Sequence, residues 1–212
     1  MDFDKKISFK LPDDAFGRID EEADEKFYKI PRFVAHIDFG AIDAVTDLYR
    51  EHLPKTGHIL DLMSSFFSHF PDENTYSSVT GLGMNEREMF HNKQLDEWTV
   101  HNLNTDPILP FEDNQFDAGV ICVSIDYLID PLSVLKDMGR VLKKGAPLVI
   151  SFSNRFFESK ATSVWLQLDE EQRAYLVKSF LVDAKCFEEI KLTDCSPEFG
   201  DPLYAAIAKN IA

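Results

Sequence analysis

The 212-residue chain carries 37 acidic against 22 basic residues, a formal net charge of −15, and 44% hydrophobic residues, with 18 Phe. Such acidity repels a phosphate backbone and argues against DNA or RNA as a ligand, while the apolar content suffices for a buried core and excludes a wholly disordered chain. Three cysteines, Cys122, Cys186 and Cys195, are too few and too far apart for a disulfide framework or a CxxC metal site, so a reducing, cytoplasmic setting and no bound metal are expected.

In chain order, residues 1–30 read as an acidic arm or lid, in which Phe3, Phe9, Phe16 and Phe27 are too many rings for a purely solvated tail. The N-terminus lacks the charged-then-apolar pattern of a signal peptide, and no run of about 18 apolar residues offers a membrane span. Residues 31–212 are expected to form one domain. Ile42, Val45, Leu48, Tyr49 and Leu53 fall at helical spacing, and Pro54 closes that helix. The first strand, Ile59 to Leu62, carries Asp61 next to its end and is followed by Met63-Ser64-Ser65, and a short helix is expected over 64–70, before Pro71. A second strand over 77–82 precedes a helix in NEREMFHNK, a third strand covers 98–101, and a fourth, buried, covers 116–123. Asp130 caps the next helix, with Pro131 at its first position and Leu132, Leu135, Met138 and Leu142 as its buried stripe. PLVISFS is the fifth strand, 169–182 a helix, and 187–192 and 203–208 are two closing strands joined by SPEFGDP, a hairpin signal. The sum is an α/β, Rossmann-like, doubly wound mixed sheet of seven strands, with a C-terminal antiparallel hairpin and helices on both faces.

Ligands of such sheets sit outside the carboxyl ends of the strands. The candidates are therefore Asp61 to Ser65, Gly83 to Asn85, Asn102 to Asn104, Cys122 to Tyr127, and Ser153 and Asn154, which are mostly small or polar in front of apolar strands.

At these positions the chain resembles the class I S-adenosylmethionine-dependent methyltransferases, from about Gly57 to the C-terminus. GHILDLMSS is similar to the first motif of that family, VTGLGMNEREM to its second-strand motif, LPFEDNQFDAGVICVSIDYLIDP to its fourth, and LKDMGRVLKKGAPLVISFSN to its next helix and fifth strand. The resemblance implies S-adenosyl-L-methionine as cofactor and methyl transfer to a small-molecule acceptor. It implies that Asp61 and Met63 line the methionine end, with Ser64 and Ser65 offering hydroxyls to its carboxylate. It places Gly83, Met84 and Asn85 beside ribose and adenine, Asn102, Leu103 and Asn104 at the base, and Val123 and Ser124 beneath the sulfonium.

Two departures bear on that expectation. Met63-Ser64-Ser65 stands where the family usually has GxG, and Cβ atoms there restrict both the turn and the approach of a ligand. Gly83 stands where an acid usually holds the ribose, a loss of about 1.5–3 kcal/mol unless Asn85 or water replaces it. Where the methyl acceptor must lose a proton, the candidate bases are Asp126, Tyr127, Asn154 and His36, the last with Asp38 two residues on; His69 stands beside them. A second reading, a binding or regulatory protein on the same fold without turnover, draws on the missing glycines and acid.

Overall fold

The computed structural model describes residues 11–212. Phe3 and Phe9 of the arm lie outside the described residues. The elements are α1 (Asp24–Tyr28), α2 (Phe39–His52), β1 (His58–Leu62), β2 (Ser78–Gly83), α3 (Glu86–His91), β3 (Glu97–Val100), β4 (Ala118–Cys122), α4 (Pro131–Val141), β5 (Pro147–Ser153), α5 (Ser163–Gln167), α6 (Glu170–Ala184), β6 (Phe187–Asp194) and β7 (Leu203–Asn210). One sheet runs in the order β3-β2-β1-β4-β5-β7-β6. β1 to β5 pair in parallel, and β7 is antiparallel to β5 and β6, which is the mixed, hairpin-closed sheet expected. Strand order reverses between β1 and β4, so their carboxyl ends flank the switch point where an open α/β sheet opens a crevice.

Alternation along the strands supplies two cores. Leu60 and Leu62 of β1 pack with Leu135 and Met138 of α4 and Phe180 of α6, whereas Ile59 packs with Val45 and Tyr49 of α2. Each fully buried side chain of this kind contributes about 1.5–3 kcal/mol. The helix starts are capped as their sequences suggest. Ser133 N donates to Asp130 Oδ1 at 3.0 Å ahead of α4, and Asp169 with Gln172 makes a capping box ahead of α6.

The helix expected over 64–70 does not form. From Met63 the chain runs without regular structure to Ser77. Met63 and His69 both have φ of 61°, outside helical dihedrals, and the hydroxyls of Ser64 and Ser68 donate to Asp61 Oδ2, each at 2.6 Å. Residues four apart satisfy one carboxylate beneath them, and the backbone is left to turn over the sheet edge. The helices α1 and α5 and the 3₁₀ turn Ile125–Tyr127 were not legible beforehand.

Residues 18–24, within the stretch expected as an arm, are fastened to that same edge. Lys160, with no exposed surface, donates to the carbonyls of Asp20 (3.2 Å) and Glu22 (2.7 Å) and reaches Asp24 Oδ1 at 3.2 Å. Asp24 also accepts from Arg18 at 2.8 Å and from Asn104 Nδ2 at 2.9 Å. Buried charges are tolerable because each is paired.

Candidate functional site

A cavity of about 530 Å³ opens at the carboxyl ends of β1 to β5. Its floor is Asp61, Met63 and Ser64 after β1, Gly83 to Asn85 after β2, His101 to Asn104 after β3, and Cys122 to Ser124 after β4. Asp24, Tyr28, Arg32 and Val34 to Ile37, preceding α2, form another wall, with Asn154 to Glu158 after β5. That volume lies within the range of small-molecule sites. Of six described non-glycine residues with positive φ, three line it: Met63 (61°), His69 (61°) and Val123 (43°). For a β-branched residue such as Val123 this is an outlier, and strain of this kind collects at binding sites.

Asp61 is 3% exposed. Burial pushes its carboxyl up to about 6, against the pull of the Ser64 and Ser68 hydroxyls. Ser68 is held in turn by Asn92 Nδ2 at 2.8 Å. The backbone N–H of Ser64 donates to Leu82 O at 2.8 Å, which draws the turn across the end of β2. A Cβ on Gly83 would stand 2.1 Å from the Ser64 carbonyl oxygen. The glycine is required by that crossing.

The polar residues expected at the site divide into committed and free. Ser65 Oγ donates to Glu88 Oε2 at 2.5 Å, and Glu88 Oε1 accepts Arg32 N at 2.6 Å. Asn85 caps α3 through Oδ1 and donates to Tyr28 O at 2.7 Å. Asn102 donates to Glu25 Oε1 at 2.7 Å. Asn104 bridges Asp24, Tyr127 O and Ile129 N, all at 2.9 Å. These three asparagines frame the cavity with their amides spent. Ser124 is the opposite case: 8% exposed and lining the cavity, its Oγ has no hydrogen-bond partner among the described residues. A buried orphan hydroxyl facing a cavity wants a ligand.

Of the candidate bases, Asp126 does not line the cavity. It is buried, its Oδ2 has no hydrogen-bond partner among the described residues, and burial pushes it up to about 8 against the weaker pull of its backbone hydrogen bond and Arg173, so it holds a proton at neutral pH. Tyr127 lines the cavity, but its hydroxyl accepts Phe157 N at 2.9 Å, and burial raises it well above the ordinary tyrosine value. Asp38 does not orient His36: its carboxylate caps α2 through Ala41 N at 3.0 Å and accepts Asp201 N at 2.8 Å. His36 and His69 both line the cavity, with Phe67 nearby at 48% exposure, while Phe70 belongs to the core. Asp24, Tyr28, Arg32, Glu88 and Phe157 line the cavity unannounced by any sequence motif. Only the acid-and-ring composition of the arm hinted at the first two.

Residues 63–150 match the family model described as a methyltransferase domain; the match begins just after Asp61. Among solved structures, the cyclase SpnF is 15% identical, covering 80% of this chain and 82% of its own, with a TM-score of 0.59. A methyltransferase of Thermotoga maritima is 17% identical over 82% and 91%, with a TM-score of 0.58. The chain has the class I S-adenosylmethionine-dependent methyltransferase fold. Phosphoethanolamine N-methyltransferase 2 of Haemonchus contortus, solved with S-adenosyl-L-methionine, shares this methyltransferase fold at 14% identity and a TM-score of 0.58; 80% of this chain spans 52% of it. No curated protein sequence matches the chain significantly. No described helix is long and apolar enough to cross a membrane.

Proposed function

We propose that the chain transfers a methyl group from S-adenosyl-L-methionine to a small-molecule acceptor. The observation that carries this reading is the cavity at the switch point of a methyltransferase fold, with the orphan hydroxyl of Ser124 and the carboxylate of Asp61 in its wall. The residues fit the cofactor in part of the expected way. Asp61, ionised above about pH 6, would hold the ammonium of the methionine end beside the left-handed turn at Met63. Ser124 Oγ and the Val123 backbone would lie under the sulfonium, and Gly83, Met84 and Leu103 would contact the nucleoside. The hydroxyls of Ser64 and Ser65 already donate to carboxylates, so they keep the turn in place rather than meet the cofactor.

When bound, S-adenosyl-L-methionine supplies an electrophilic methyl carbon. The chain then has to align an acceptor with it and keep water away, tasks that fall to the rings of Tyr28 and Phe157 and the segment 34–37. Folds of this class host other activities, as the cyclase does, so the reading rests on the site and not on the fold. Isothermal titration calorimetry with S-adenosyl-L-methionine is expected to give a one-site isotherm, weakened about tenfold or more in Asp61→Asn, which keeps acceptors for Ser64 and Ser68 but loses the charge. Absence of heat at millimolar ligand would favour the inert, regulatory protein instead.

A further inference from the structure

Four of the six histidines have protein partners. His52 lies 3.7 Å from Glu51, His58 pairs with Ser78 Oγ, His91 with Arg87 O and His101 with Asp106 O, the last three at 2.8 Å. His36 and His69 have no hydrogen-bond partner on either ring nitrogen among the described residues, and both line the cavity. The backbone of His69 lies in the left-handed region, at φ 61°, which few residues other than glycine adopt. Around the two imidazoles stand flat apolar surfaces. Phe67 stacks on His69 with planes 18° apart and centroids at 6.0 Å, and Phe157 meets His36 edge-on at 5.4 Å. Phe67, which lines the cavity, is 48% exposed, a large ring left open to solvent.

Resting on the methyl-transfer reading above, we propose that His36 and His69 form the acceptor subsite and that the acceptor is a small aromatic alcohol of the phenol class. His36 takes the proton and His69 orients the hydroxyl. In the step, the acceptor oxygen forms a bond to the methyl carbon, the carbon–sulfur bond breaks with its electron pair left on sulfur, and the O–H proton passes to a ring nitrogen of His36. Net charge in the site is unchanged, because the positive charge leaves sulfur and reappears on imidazole. The burial that disfavours imidazolium therefore disfavours the starting sulfonium as well.

The division of labour follows from what faces each ring. Glu88 of α3 favours a charged His36, with Arg32 and burial opposing it; burial is the largest of these and leaves the ring below its ordinary value. Burial, with His36 beside it, brings His69 down to about 4, so that ring stays neutral and offers one donor and one acceptor. An ammonium acceptor fits poorly. Asp61 is assigned to the ammonium of the cofactor, Asp24 and Glu88 are already spent on protein partners, and Glu158 lies in solvent.

The probe is 4-nitrophenol, whose phenolate absorbs visible light, added to protein saturated with S-adenosylhomocysteine. Saturable binding is expected, with the absorption band of the bound probe displaced from that of the free probe at the same pH by its hydrogen bond to His36. His36→Gln should bind the probe without that displacement. His69→Asn, chosen because Asn accepts a positive φ, should weaken the probe about tenfold while leaving S-adenosylhomocysteine affinity unchanged. Protein that binds S-adenosylhomocysteine but not 4-nitrophenol, a band unaltered by His36→Gln, or tighter binding of benzylamine overturns this assignment alone. Failure to bind S-adenosylhomocysteine overturns the methyl-transfer reading beneath it.

Discussion

Gly83→Asp restores, in sequence terms, the acid that the resembled family carries at the end of its second strand, and the geometry predicts that it removes cofactor binding rather than improving it. The new Cβ would lie 2.1 Å from the Ser64 carbonyl oxygen and 3.0 Å from Met89 Sδ. The first of these is backbone and has no free end to swing aside. Overpacking of this kind costs about 1–3 kcal/mol. Pushing the turn away also breaks the Ser64 hydroxyl's bond to Asp61, a hydrogen bond to a charged group worth about 1.5–3 kcal/mol. Together the loss is about 2.5–6 kcal/mol, a fall in Tm of about 5–24 °C for a chain of this size. Thermal unfolding followed by circular dichroism measures the first effect, and calorimetric titration with S-adenosyl-L-methionine the second. A Gly83→Asp variant that melts with the wild type and binds the cofactor more tightly would refute the reasoning, since it would mean that the Ser64 turn does not occupy the acid's place.

Two further outcomes follow from buried charges. Lys160→Met should lower stability by about 3 kcal/mol, the low end for a broken buried pair because Asp24 keeps Arg18 and Asn104, and should expose the arm to limited proteolysis near residues 18–24; unchanged melting and cleavage would show that the lysine does not fasten the arm. Asp126 has a folded-state pKa of about 8 against an ordinary 3.8, so the folded protein binds the extra proton between those values and wild-type stability falls, relative to Asp126→Asn, as pH rises through that window, with no further change above it. Urea unfolding of both proteins from pH 4 to pH 9 checks the sign, and a gap opening in the wild type's favour would contradict it.

The architecture was legible because its signals are local. Asp130-Pro131 caps a helix, PLVISFS and the two closing segments carry strand composition, and each formed where its chemistry placed it. The loop over 64–70 carries a helical expectation because Ser64 and Ser68 look like helix-surface hydroxyls, whereas both are drawn onto Asp61 beneath them. The position of the cavity followed from strand order alone. Which side chains are free in it did not, because the partners that occupy Asn85, Asn102 and Asn104 come from Tyr28, Glu25 and Asp24, between 57 and 80 residues away in sequence. No periodicity or spacing encodes such a pairing.

A crystal structure of the protein grown with S-adenosylhomocysteine tests the central claim most directly. Density for the thioether between Asp61 and Ser124, with Ser124 Oγ in contact with the ligand and the Met63 turn unmoved, is the predicted result. A ligand seated elsewhere, or a cavity closed over Asp61 by the side chains of Met63 and Tyr28, would contradict it.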